Sequence, residues 1–205
     1  MFVLRLASQV KSVATHGVLI ACGCEDGTIH LHREAAGGGS FAPLGPLPEG
    51  HDGRVRSLAM RGDVLVSVGG DNLVKVWSVA RRTCTATLRE HTGAVFAVEI
   101  GEAAIASVGD DKTARLWPLE GGGESLHTLR HPDAVWSLAM DGDLLATGCW
   151  DERVRLFAVS SGQLTRTLEH GSYVRCLALR GAVLLSGGSG KTVKVWSVAE
   201  DVAAG

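Results

Sequence analysis

No stretch of this 205-residue sequence approaches the roughly 20 apolar residues that a membrane span requires. The opening MFVLRLASQV is too short in its apolar part for a secretory leader, so no membrane partner and a cytoplasmic or nuclear location are expected. Charge of one sign is also lacking. Twenty Lys+Arg against 22 Asp+Glu leave a net charge of −2, which excludes a global attraction to nucleic acid and confines any charge effect to local patches. Five cysteines cannot form a fully paired framework, and Cys84, Cys149 and Cys176 stand singly inside strand-like runs, as reduced, buried thiols do. No window carries a sustained helical period, and no set of nucleophile, base and orienting group is visible.

What the sequence does contain is a period. His51, His91, His131 and His170 are spaced by 40, 40 and 39 residues, and Trp77, Trp117, Phe157 and Trp196 keep the same intervals. A repeat of roughly 40–45 residues with four strands per unit is the signature of a propeller blade. In the second unit VRSLAM, VLVSV, LVKVW and TCTATL are short, rich in β-branched residues or Leu, and separated by Gly/Asp clusters, as antiparallel strands are. The other units superpose on it, giving repeats at about 9–50, 51–90, 91–130, 131–169 and 170–205. The first carries a Pro/Gly-rich insertion, AAGGGSFAPLGPLPEG, whose FAPL is expected to supply its last strand. The fifth stops without a last strand, whereas residues 1–8 form an orphan one. The two are expected to complete one blade and seal a ring of five blades, so an all-β, single-domain, monomeric propeller is predicted. The alternative is a piece of a larger propeller.

Three strings imitate other chemistry. SGGSGKT at 186–192 lacks the first glycine of a phosphate loop, having Leu185 in its place, and leads into a strand rather than a helix. Arg61-Gly62-Asp63 has counterparts at 141–143 and 180–182, which makes it an ordinary turn. Cys22, Cys24, His30 and His32 are a zinc-type ligand set on one hairpin, with Cys22 expected opposite His32 and Cys24 opposite His30. A near-flat sheet holds such groups in a rectangle rather than a tetrahedron, so neither a metal nor any other cofactor is expected.

At these positions the chain resembles the WD-repeat β-propeller family. The resemblance implies a hydrogen-bonded tetrad in each regular unit: His51, Ser67, Asp71 and Trp77; His91, Ser107, Asp111 and Trp117; His131, Thr147, Asp151 and Phe157. The chemistry is sound independently, since a buried carboxylate needs donors and a turn Asp facing imidazole finds them. Phe157 lacks the indole N–H, and the fifth unit has Gly190 where the carboxylate should stand. The first has Leu6 in place of the histidine and His32 in place of Trp.

The resemblance also implies a partner-binding face, lined by residues just inside each first strand and before each turn Asp. Carried over, these include Lys11, Arg56, Phe96, Trp136, Arg175 and Trp150, with Arg54 and Tyr173 two residues before Arg56 and Arg175. They are expected to divide into a cationic arc and an aromatic arc, suited to a protein or peptide bearing phosphate or carboxylate beside an apolar group. The repeats are most similar to those of F-box/WD-repeat substrate receptors, although no F-box is present. The implied function is a non-enzymatic interaction scaffold, with a ubiquitin-ligase adaptor role as one specialisation. A propeller enzyme with a site at the channel mouth is the alternative from another class.

Overall fold

The structure, a computed structural model, describes residues 3–203. Within them lie five antiparallel sheets, each a meander of strands taken in chain order. The first contains β1 (Val10–His16), β2 (Leu19–Cys24), β3 (Ile29–Glu34) and β4 (Phe41–Pro46). The second contains β5 (Val55–Arg61), β6 (Val64–Gly69), β7 (Val74–Ser78) and β8 (Thr83–Leu88). The third contains β9 (Val95–Ile100), β10 (Ala104–Gly109), β11 (Thr113–Pro118) and β12 (His127–Arg130). The fourth contains β13 (Val135–Asp141), β14 (Leu144–Cys149), β15 (Arg153–Ala158) and β16 (Leu164–Glu169). The fifth has three strands, β17 (Val174–Arg180), β18 (Val183–Gly188) and β19 (Val193–Ser197), followed by the one-turn helix α1 (Ala199–Ala203). This is a five-bladed β-propeller architecture, as the 40-residue period predicts.

The innermost strands pack in sequence, β1 on β5, β5 on β9, β9 on β13 and β13 on β17. Each blade therefore shows one flank forward and one backward, and four cores form where they meet. Val66, Val74 and Val76 of the second blade meet Val95, Val98, Ile105 and Trp117 of the third. The same positions recur between the other neighbours, as Ala106, Ala114 and Leu116 against Val135, Leu145 and Phe157 show. Strands β10 and β14 are buried at every residue because both of their faces meet a neighbouring blade. The junction of the first two blades needs glycine at position 27. Its φ is +85° and a Cβ there would meet the His51 carbonyl at 2.0 Å, the close approach that lets the His51 N–H bond the Gly27 carbonyl at 2.9 Å.

The ring is not sealed by the N-terminal segment. Residues 3–8 form no strand, and Val3, Leu4, Arg5, Leu6 and Ala7 lie along His30, His32, Phe41 and Pro43 of the first blade, away from β19. Residues 1–2 lie outside the described part. The fifth blade consequently ends at β19, whose Val193 and Val195 are each 69% exposed.

Candidate functional site

The histidine network forms in full in the second and third blades. His51 Nδ1 donates to Asp71 Oδ1 at 2.8 Å, its Nε2 meets Ser67 Oγ at 2.7 Å, and Trp77 Nε1 donates to the same hydroxyl at 2.8 Å. His91, Asp111, Ser107 and Trp117 repeat this with 2.8 Å at all three contacts. Burial raises the Asp111 carboxyl, but the His91 hydrogen bond and charge and the Thr113 and Thr92 donors outweigh it and bring the pKa down to about 2.

The fourth blade departs from expectation. Asp151 does not bond His131; it pairs with Arg155 at 2.5 and 3.1 Å. His131 Nδ1 donates instead to the Leu129 carbonyl at 3.1 Å, while Nε2 accepts from the Thr147 hydroxyl at 2.9 Å, with the Phe157 ring 5.6 Å away edge-on. A guanidinium four residues along the hairpin offers two parallel donors, which a single imidazole N–H cannot match. Burial and the Arg155 charge push His131 down to about 4, so it is neutral. In the fifth blade, lacking the carboxylate, the ring turns over and His170 Nδ1 meets Ser186 at 2.9 Å.

The Cys/His hairpin also departs from its expected register. Cys22 pairs with His30 and Ile20 with His32, because the Cys24 N–H bonds the Thr28 carbonyl at 2.9 Å and closes the turn early. The expected rectangle of four ligands is therefore not formed.

The upper face is built by one backbone device used five times. In each innermost strand the pairing skips a residue, and the skipped residues are Lys11, Arg56, Phe96, Trp136 and Arg175. A bulge leaves that residue out of the ladder, bends the strand and re-aims its side chain. Lys11, Arg54, Arg56, Phe96 and Trp136 line one open cavity of about 240 Å³.

The expected cationic and aromatic arcs are not separate. Arg56 lies over the Phe96 ring at 4.9 Å, and Phe96 meets Trp136 at 4.2 Å. Trp136 stacks on Trp150 at 5.3 Å, and Trp150 on Tyr173 at 5.6 Å. Arg175 sits over Trp136 at 5.7 Å. Arg175, Trp150 and Tyr173 extend this ladder beyond the residues that line the cavity. Arg56 Nε and Trp150 Nε1 are buried without a protein acceptor among the described residues. Glu25, in the turn between β2 and β3, also reaches this face. It bridges Lys11 at 2.8 Å and Arg54 at 3.4 Å.

The model of the WD domain, G-beta repeat, matches residues 43–78, 82–118, 123–157 and 162–197, more than half of the sequence. The chain belongs to the WD-repeat family. Among curated WD-repeat and other relatives, it is 29% identical over 197 residues to the p21-activated protein kinase-interacting protein 1-like of Danio rerio, spanning 93% of this chain and 52% of that protein. It is 32% identical over 130 residues to F-box/WD repeat-containing protein 4 of Homo sapiens, spanning 60% of this chain and 31% of that protein. The WD-repeat chain thus spans about half the length, or less, of the curated relatives it matches. Among solved structures, the computationally designed Ika8 protein superposes with a TM-score of 0.73 at 23% identity, over 94% of this chain and 72% of that one. The designed Ika4 protein superposes at 0.70 with 28% identity, over 73% of this chain and 94% of that one.

Proposed function

We propose that this WD-repeat chain is a non-enzymatic interaction module that takes a partner segment on its upper face, an acidic or phosphorylated group beside an apolar side chain. One observation carries this reading. Bulged residues from four consecutive blades bring Lys11, Arg56, Phe96 and Trp136 to one place, and Arg54 joins all four around one cavity. A guanidinium held over an aromatic ring keeps its outer N–H groups free for an anion while the neighbouring indole offers an apolar shelf. Arg and Trp are also the side chains most enriched among energetic anchors of interfaces. The similarity to F-box/WD repeat-containing protein 4 agrees with an interaction module, and a ubiquitin-ligase adaptor is the specialised form that the resemblance to F-box/WD-repeat substrate receptors implies.

The test is an unbiased partner capture repeated with Arg56→Ala, Arg56→Lys and Trp136→Ala. Losing a charge-assisted contact costs about 1.5–3 kcal/mol, so Arg56→Ala should weaken binding about ten- to a hundredfold without unfolding the chain. Arg56→Lys should recover only part of that, since an ammonium lacks the two-pronged geometry. Trp136→Ala should weaken binding with little change in salt dependence. Partners that bind the combined Arg56, Arg175 and Trp136 alanine variant at undiminished affinity would move the site elsewhere.

A further inference from the structure

Two of the cations that line the cavity are already paired with an anion supplied by the chain itself. Glu25 stands in the turn between β2 and β3 of the first blade, its backbone N–H fixed on the Gln9 carbonyl at 2.8 Å. From there Oε2 reaches Lys11 Nζ at 2.8 Å and Oε1 reaches Arg54 Nε at 3.4 Å. Both cations line the cavity, and Arg54 belongs to the approach to the second blade. The carboxylate therefore crosses the blade junction and pairs with two of the three cations that line the cavity. Contact with Lys11 holds Glu25 below the ordinary carboxyl range, with the Arg54 and Arg56 charges adding to it, so the group stays charged at neutral pH.

Resting on the reading of this face as an anion site, we propose that Glu25 is an internal competitor for it. A ligand anion must displace the Glu25 carboxylate from Lys11 and Arg54 before it can use them. The pair can be given up readily. All three side chains are partly exposed, between 34% and 48%, and ion pairs so placed are weakly held. Arg56 is not engaged in this pairing and is stacked on Phe96, so it makes the first contact with an arriving anion, and Lys11 and Arg54 follow once Glu25 swings out. Glu25 thus sets a threshold: anions that can engage Arg56 and the aromatic shelf together pass it, while simple anions are held off. The lost ion pairs also couple ligand binding to the junction between the first and second blades.

Phenyl phosphate, an anion attached to an aromatic ring, and benzyl alcohol, its uncharged counterpart, are suitable probes, read by tryptophan fluorescence and calorimetry on the whole chain. Glu25→Gln should bind phenyl phosphate about tenfold more tightly than the unaltered protein, while the response to benzyl alcohol stays the same. Arg56→Ala should weaken phenyl phosphate about tenfold or more. If Arg56→Ala weakens binding but Glu25→Gln leaves it unchanged or weaker, the competitor role is overturned while the site stands. A lowered melting temperature for Glu25→Gln with no gain in affinity makes Glu25 a clamp between blades, which also overturns it. If no variant binds phenyl phosphate, Glu25→Gln included, both the competitor and the anion site fall.

Discussion

Asp110 and Asp111 are neighbours in the chain with opposite surroundings. Asp110 is exposed, whereas Asp111 accepts from His91, from the Thr92 and Thr113 N–H groups and from the Thr113 hydroxyl. Asp111→Ala strands these donors at roughly 1–3 kcal/mol each, and Asp110→Ala removes a solvated charge at little cost. The melting temperature should drop by many degrees for the first and hardly move for the second; equal shifts would contradict the network. Because the folded Asp111 titrates at about 2, below its ordinary 3.8, its contribution is present above about pH 4 and is lost as pH falls through about 2. Acid titration of the melting temperature should show that loss in the parent and a flattened one in Asp111→Ala. The network was legible because His, Ser, Asp and Trp recur at constant spacing. The exception, Asp151, was not, since competition from Arg155 depends on where a long side chain reaches rather than on spacing.

Strands themselves were readable from alternation and turn residues, but the bulges that aim the upper-face residues were not. A bulge is a property of two strands' pairing, and Val55-Arg56-Ser57 looks like any other strand start until its partner Val68-Gly69 is seen skipping Arg56. Pairing also creates a strained site at the opposite end of β9. Glu99 accepts the Met140 N–H at 2.9 Å across the junction with β13. Burial, with the Asp141 charge adding to it, pushes its carboxyl up to about 7 against the pull of that N–H. A carboxyl raised in the folded state contributes stability below its unfolded value of about 4.5, and that contribution is lost as pH rises through about 7. Glu99→Gln keeps an acceptor for Met140 and cannot ionise. It should therefore leave stability unchanged near pH 4 and raise it at pH 8, by an amount on the order of 3 kcal/mol given 1.36 kcal/mol per pKa unit. A Glu99→Gln melting curve that tracks the parent at both pH values would show that Glu99 is not penalised by its burial.

At the scale of the whole arc, each forward flank is covered by the next blade except the last. Val74 and Val76, Ala114 and Leu116, and Val154 and Leu156 are all at most 2% exposed, whereas their fifth-blade equivalents Val193 and Val195 stand at 69%. Leu185, 38% exposed, and the exposed Cys176 share that flank with Val193. The first blade does not offer the complementary flank, because His32 and Glu34 stand where the second blade has Trp77 and Val79, and residues 3–7 lie beside His32. The expected closure failed for this reason. The expectation of a monomer rested on a sealed ring. A three-stranded sheet with a bare apolar flank and an unpaired edge instead predicts self-association. Sedimentation of the 205-residue chain should show mass increasing with concentration, and Val195→Asp should return it toward the monomer. The rate of Cys176 alkylation should fall over the same concentration range, since association through this flank covers the thiol. A chain that stays monomeric throughout, or one whose assembly is indifferent to Val195→Asp, would show that the flank is not a contact surface.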